Sequence, residues 1–230
     1  MTERQAADEP TTGLRERKKQ RTRDALLRVA LELFTTRGYE HTTVDEIAEA
    51  VEVSQRTFFR YFASKEEAAF AVQEMVESRF VAELLVRPAR ERPFTAMRNA
   101  VLYSWNTIGE AIEAVVPVEL HMRTYLMIES TPALLAAHLR RSTELEERTA
   151  RIIADREGLD LDADPRPRIA VAAFTGVMRV TGRLWGQGGD TSMESIRTLT
   201  ELYLDHLEPA LAADWRAPER TPGVPGTHGV

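Results

Sequence analysis

Between Thr42 and Lys65 the chain reads TTVDEIAEAVEVSQRTFFRYFASK, and the second half of this stretch carries side chains able to address a nucleic acid. Arg and Gln make bidentate hydrogen bonds to guanine and adenine edges, while Thr or an aromatic ring can touch the thymine methyl. Gln55, Arg56, Thr57, Phe59 and Arg60 therefore form a candidate base-reading set, in place of the Glu/Lys mixture of an idle helix surface. Thr43, Tyr61 and Lys65, with the amides of two capped helix starts, suit phosphate oxygens, which fix register without reading sequence.

That chemistry needs a short helix held outward by its neighbours. Thr43 followed by Glu46 is a capping-box pattern, and Val44, Ile47, Ala48 and Val51 then share one helical face. Ser54 is a second N-cap candidate before residues 55–62, where Phe58 and Phe62, four apart, can pack back on the preceding helix. A steep crossing needs a small residue where the helices touch and an apolar one in the turn, which Ala48 and Val53 supply. Ser64 with Glu67 repeats the capping box and starts a longer helix at Lys65. Two short helices so arranged also occur in bundles that bind no DNA.

The charge pattern favours the DNA reading. From Arg15 to Arg28 seven basic residues, among them Arg17 and Arg21, face only Glu16 and Asp24, a local charge of about +5. The whole chain of 230 residues carries 30 Lys and Arg against 36 Asp and Glu, a net charge of -6, so the remainder is strongly acidic. A cationic entrance on an anionic protein suits a polyanion docking at one end.

Beyond this stretch, apolar residues three and four apart recur with almost no alternation, and the chain is expected to be all-α. Helices are expected at about 15–37, 43–51, 54–62, 64–86, 94–115, 118–128, 131–157, 165–187 and 191–212. Residues 1–13 and 214–230, the latter rich in Pro and Gly, are expected to be a disordered arm and tail. The longest nearly apolar run, 169–178, is about ten residues against about 20 for a membrane span, so a soluble, cytoplasmic protein without membrane contact is expected.

Catalytic and metal chemistry find little support. Cys 0 removes thiolate catalysis, disulfides and Cys-ligated metal sites. Nucleotide-binding glycine loops, G-x-S-x-G and H-E-x-x-H are missing, and His41, His121, His138, His206 and His228 show no metal-ligand spacing. Asp160, Asp162 and Asp164 imitate the start of a calcium loop, but Pro165 stands where Gly is needed and Val171 where Glu should close it. The expectation is a protein that is no enzyme and holds no cofactor or metal.

Residues Arg21 to Glu67, with Ala30, Leu33, Phe34, Gly38, Tyr39, Thr42, Thr43, Val44, Ile47, Ala48, Val53, Ser54, Thr57, Phe58, Tyr61, Phe62, Ser64 and Lys65, resemble the N-terminal domain of the TetR family of bacterial transcriptional regulators. The resemblance covers about a fifth of the chain. It implies a three-helix helix-turn-helix DNA-binding domain (14–63), a helical ligand-binding and dimerisation domain (64–213), and repression relieved by a small molecule. It also puts Gln55, Arg56, Thr57, Phe59 and Arg60 on recognition-helix positions, and Thr43, Tyr61 and Lys65 on phosphate-contacting ones. The sequence departs from the family at Glu52, where the turn usually has Gly, so a non-Gly residue is expected at positive φ or in an altered turn.

The implied pocket would lie among the middle helices, mostly apolar with a few polar groups. Trp105, Asn106, His121, Met122, Tyr125, Phe174 and Arg179 are the candidate ligand contacts, with Met97 and Met127 as further wall residues. The helix expected at 165–187 is apolar on more than one side, which calls for a second partner and suggests a homodimer. Its two heads would enter successive major grooves of a palindromic operator, about 34–36 Å apart. A ligand that tilts the helix from Ser64 to Val86 would spread them. The alternative is a helical DNA-binding architectural or interaction module without ligand control.

Overall fold

Apolar spacing on the first helix, α1 (Glu9–Arg37), puts Leu26, Leu27, Ala30, Leu31 and Phe34 on one fully buried face. The computed structural model describes residues 9–190 and 192–212, and the parts of the expected arm and tail at 1–8 and 214–230 lie outside them. Helix α1 begins six residues before the expected start at 15 and takes in residues 9–13 of the expected arm. Extending an anchored helix fixes only one residue per hydrogen bond, and Pro10, in the first turn, forfeits no internal one. The helix stops at Gly38, whose φ of 95° is open to glycine at little cost.

Thr43 caps α2 (Val44–Ala50) with the full box: its hydroxyl accepts from the Glu46 amide at 3.2 Å, and the Glu46 carboxylate accepts from the Thr43 amide at 2.8 Å. The Thr43 amide, and after it the Thr43 hydroxyl, which donates to the same carboxylate at 2.9 Å, hold the Glu46 carboxyl below its ordinary pKa. Ser54 caps α3 (Gln55–Tyr61) by accepting from the Thr57 amide at 3.2 Å. The turn between them is closed by the Val53 amide donating to the Ala48 carbonyl at 2.9 Å. Glu52, exposed in that turn, has φ 56°, so the departure from Gly is absorbed by a residue in the left-handed region. Ser64 caps α4 (Lys65–Val86), but the Glu67 carboxylate reaches the Ala63 amide, not the amide of the cap itself.

The body follows as α5 (Pro93–Glu113), α6 (Val118–Ser130), α7 (Pro132–Glu157), α8 (Arg166–Gln187), α9 (Met193–Asp205) and α10 (Leu207–Ala212). The single helix expected at 191–212 is thus two, broken at His206. Pro209 explains the break: it has no N–H for the Asp205 carbonyl, and its ring would collide with that group. Among the described residues there is no strand, and no helix is long and apolar enough to cross a membrane.

Two stacked apolar cores hold these helices. The first joins Leu26, Phe34, Ile47, Phe58 and Phe62 of the three-helix head to Ala68–Val72 of α4, Ile112 of α5, Leu120 and Ile128 of α6 and Leu134 of α7. The second joins Phe80 and Leu84 to Met97, Val101, Ile153, Phe174 and Leu204. Helices α4 and α5 run through both, so the head shares its core with the near half of the body. In the loop 158–165, the Asp164 carboxylate is paired with the Arg166 guanidinium, which holds its pKa down to about 2, and Arg168 pairs with Glu147 and Asp162.

Candidate functional site

Burial of Phe58 and Phe62, at 0% and 1% exposure, sets the rotation of α3. Each buried ring contributes on the order of 2–3 kcal/mol by leaving water, enough to fix which side looks out. Gln55, Arg56, Phe59 and Arg60 then fall on the outer side, all exposed, and Phe59 leaves 47% of its surface in solvent. The Phe59 ring is steadied edge-on against Phe58, with centroids 5.6 Å apart. Within the described residues the side chains of Gln55 and Arg56 have no hydrogen-bond or ion-pair partner. Thr57 is half-buried, its hydroxyl 3.0 Å from that of Ser54 and accepting from Arg60 Nη2 at 3.2 Å.

The expected phosphate-facing residues divide. Arg17 and Arg21 are exposed on the first half of α1, and Tyr61 is half-buried with the Arg60 guanidinium 5.9 Å from its ring centroid. Thr43 is exposed, with its hydroxyl donating to Glu46 at 2.9 Å. Lys65 is half-buried: its ammonium donates to the carbonyls of Tyr39 at 2.7 Å and Thr42 at 3.0 Å, leaving one of three donor positions open. Arg23, another member of the basic run, lies 5.3 Å over the Phe62 ring and ties α1 to the end of α3.

In the body, α4 to α9 enclose a cavity of about 230 Å³. Of the candidate contacts, Trp105, His121, Tyr125, Phe174 and Arg179 line it. Asn106 and Met122 do not. Asn106 is exposed, turned one residue further round α5 than Trp105, and Met122 is buried in a small cluster with Trp185 and Ile196. Met97 is buried in the second core and Met127 packs on the first, so neither forms a wall. The lining also includes Gln73, Glu77, Thr124, His138, Ser142 and Trp185. Gln73 and Glu77 had a sequence signal: they interrupt the apolar face made by Ala69, Val72, Val76 and Phe80 of α4.

Aromatic groups dominate the walls. Phe80 and Phe174 stack at 5.7 Å, and Trp185 has the His121 ring at 5.9 Å and the Tyr125 ring at 6.3 Å. Tyr125 lies on the backbone of α8, where a Cβ at Gly182 would meet its hydroxyl at 2.9 Å. Burial pushes the Tyr125 phenol up to about 12 and the His121 imidazole down to about 4. Gln73 Nε2 and His138 Nδ1 are 3.0 Å apart, and burial lowers the His138 pKa despite Glu129 nearby. Burial also raises the Glu77 carboxyl, against the pull of Arg141.

Two further relationships connect the cavity to the rest of the molecule. Helix α6, which supplies His121 and Tyr125, packs on α1, and Arg28 Nε of α1 donates to the Val115 carbonyl just before α6 at 3.4 Å. On the opposite side, α8 buries Val171, Phe174 and Trp185 inward while Ile169, Val180 and Leu184 stay exposed, with Leu202 of α9 also exposed.

Comparison with known proteins agrees with this geometry. The family pattern described as "Bacterial regulatory proteins, tetR family" matches residues 26–72, and one described as "MftR C-terminal domain" matches residues 91–212. The chain is 52% identical over 206 residues to the HTH-type transcriptional regulator TcmR of Streptomyces glaucescens, spanning 90% of this chain and 91% of that one. It is 30% identical over 96 residues to the HTH-type transcriptional repressor NicS of Pseudomonas putida, spanning 41% and 45%. Among solved structures, the SmeT–triclosan complex superposes with a TM-score of 0.57 at 19% identity, covering 88% of this chain and 100% of that one. NalD, the secondary repressor of the MexAB-OprM multidrug efflux pump in Pseudomonas aeruginosa, gives 0.56 at 18% identity, covering 86% and 100%. At those identities the structures speak for the fold.

Proposed function

The chain belongs to the tetR family of bacterial regulatory proteins and is a helix-turn-helix transcriptional regulator, not an enzyme; on that premise we propose that it is a homodimeric repressor released from a palindromic operator by a small, largely apolar ligand. The observation that carries the DNA half is the outer face of α3, where Gln55, Arg56, Phe59 and Arg60 stand in solvent, with Arg23 of the basic run on α1 over the Phe62 ring at the end of that helix. In this reading those four, with Thr57, address base edges. Arg17, Arg21, Thr43 and Tyr61 hold phosphates, and Lys65 adds its remaining donor.

The exposed apolar stripe of α8, with Leu202 of α9, supports a two-fold interface between copies of this chain. Two heads about 34–36 Å apart, or a multiple of that, would then meet successive major grooves. The cavity supports the ligand half, with Trp105, His121, Tyr125, Phe174 and Arg179 as contacts. Its α6 wall packs on α1 and its α4 wall continues into the head's core, so a ligand preferring a shifted α6 or tilted α4 changes the head spacing. Operator affinity then falls by the ligand's differential affinity for the two arrangements.

The test is binding of purified protein to a duplex recovered from a random pool, against a scrambled duplex at the same salt. Two protomers per site and a preference of at least about a thousandfold are expected. Equal affinity for both duplexes would remove base reading from the account and leave an architectural module.

A further inference from the structure

Helix α8 carries four arginines, Arg166, Arg168, Arg179 and Arg183, and no Asp or Glu between 166 and 187. The first two are paired, with Asp164 and with Glu147 and Asp162. Arg179 and Arg183, four apart, have neither a hydrogen bond nor an ion pair among the described residues, although the chain as a whole is acidic. Arg179 lines the cavity and is exposed, as is Leu139 of α7, while the other lining residues are buried or half-buried, so these two mark the mouth.

Tyr125 of α6 stands beside the two arginines. It lies on Gly182, one residue before Arg183 and three after Arg179, where an added Cβ would meet the phenol oxygen at 2.9 Å. That hydroxyl has no hydrogen-bond partner among the described residues. After burial, the Tyr125 phenol responds to the charges of Glu129 and Arg183, and the His138 imidazole to those of Glu129, Arg141 and Arg179. Both guanidinium groups thus act where α6, α7 and α8 meet, against Glu129 as the acid. The acid of the lining itself, Glu77 of α4, is raised by burial and already has the Arg141 charge acting on it.

Behind the mouth the Phe80–Phe174 stack and Trp185 offer flat apolar faces around about 230 Å³. A guanidinium without a counter-charge at the entrance of such a space suits a ligand that is acidic at one end and apolar at the other. Arg presents a planar fork that matches a carboxylate, and the attraction strengthens where water is partly excluded.

We propose that the cavity takes an amphipathic monoanion, a carboxylate on a flat apolar body, with Arg179 pairing with the carboxylate at the mouth, the Tyr125 hydroxyl donating to it, and the body lying between the aromatic walls. The proposal rests on the cavity being the effector site. It adds the ligand's chemical class and the groups that recognise it.

Calorimetric titration of the full chain with 2-naphthoate, its neutral counterpart 2-acetonaphthone and the cation of 2-naphthylmethylamine tests this. Naphthoate should bind about ten- to a hundredfold tighter than either, the net worth of hydrogen bonds to a charged group, and should weaken as salt is raised. Arg179→Gln should bring naphthoate down to the level of acetonaphthone and leave acetonaphthone unchanged. Tyr125→Phe should cost naphthoate several-fold, again sparing the ketone, whereas Arg183→Gln, outside the lining, should cost about threefold or less. Equal affinity for naphthoate and acetonaphthone, a preference for the anion that survives Arg179→Gln or is untouched by Tyr125→Phe, a larger loss from Arg183→Gln than from Arg179→Gln, the cation binding tightest, or no binding by any of the three at millimolar concentration would each overturn the proposal. Operator release is read separately by fluorescence anisotropy. Anion-selective binding without release defeats ligand control alone, and release by naphthoate and acetonaphthone at equal concentrations defeats only the role given to Arg179.

Discussion

Lys65 reaches back 26 residues to Tyr39, donating to its carbonyl at 2.7 Å while the ammonium stands 4.2 Å from the centroid of the Tyr39 ring. The bond ties the start of α4 to the loop between α1 and α2, so the long helix leaving the head is anchored to the segment that precedes the reading unit. Burial, then the charges of Glu66 and Glu40, pushes the Tyr39 phenol up to about 12.

Lys65→Met should therefore act first on stability. Loss of two charge-assisted hydrogen bonds and a cation–π contact is expected to cost about 1–3 kcal/mol, read in urea unfolding. A variant as stable as the parent that binds DNA more weakly would make Lys65 a phosphate contact and nothing more.

Glu52 offers a stabilising change. It sits at φ 56° in the turn between α2 and α3, where glycine avoids the clash of Cβ with the backbone. Glu52→Gly should raise stability by up to about 1 kcal/mol, offset in part by the greater freedom of glycine in the unfolded chain, while Glu52→Val should lower it. The midpoints of denaturant unfolding compare the three.

Arg21 stands exposed on α1, outside the base-reading set of α3. Arg21→Ala should weaken every duplex alike and reduce the slope of log affinity against log salt by about 1. A loss confined to one sequence would place Arg21 on a base instead.

The α8 stripe predicts an assembly. Val180 and Leu184, four apart and 42% and 38% exposed, should be covered by a second copy, so Val180→Asp with Leu184→Asp should turn a dimer at micromolar concentration into a monomer. Sedimentation decides it: a parent that is already monomeric contradicts the interface.

His121 gives a pH signature. Its folded pKa of about 4 lies below the ordinary 6.5, so between those values the unfolded chain takes up the proton that the folded one refuses. Stability from this group is whole above about pH 6.5 and is lost as pH falls toward 4, by up to about 1.4 kcal/mol per pH unit. The His121→Leu variant should show a shallower loss between pH 6.5 and 4.5 in unfolding free energies. Identical slopes in the two proteins would mean that His121 protonates in place.

The head was legible in the sequence because its signals are local. The caps at Thr43, Ser54 and Ser64, the four-residue spacing of Phe58 and Phe62, and the burden on position 52 are all set within one or two turns of chain. The cavity was less so. Neighbouring residues on a helix differ in direction by about 100°, and sequence spacing does not fix the phase of a helix that has partners on several sides. Hence Trp105 and His121 face the cavity while Asn106 and Met122, each one residue on, do not. The break at His206 was local too, written in Pro209, but the apolar spacing of the final segment obscured it.

The central claim is that the outward side chains of α3 read base edges. Selection from a random duplex pool by the parent chain, and by the Gln55→Ala, Arg56→Ala double variant, tests it most directly. The parent should enrich a near-palindrome with half-site centres about 10–10.5 base pairs apart or a multiple. The variant should lose preference at symmetry-related positions of that site, each worth about 1–3 kcal/mol. A parent that enriches nothing, or a variant that enriches the same site with unchanged preference, would contradict it.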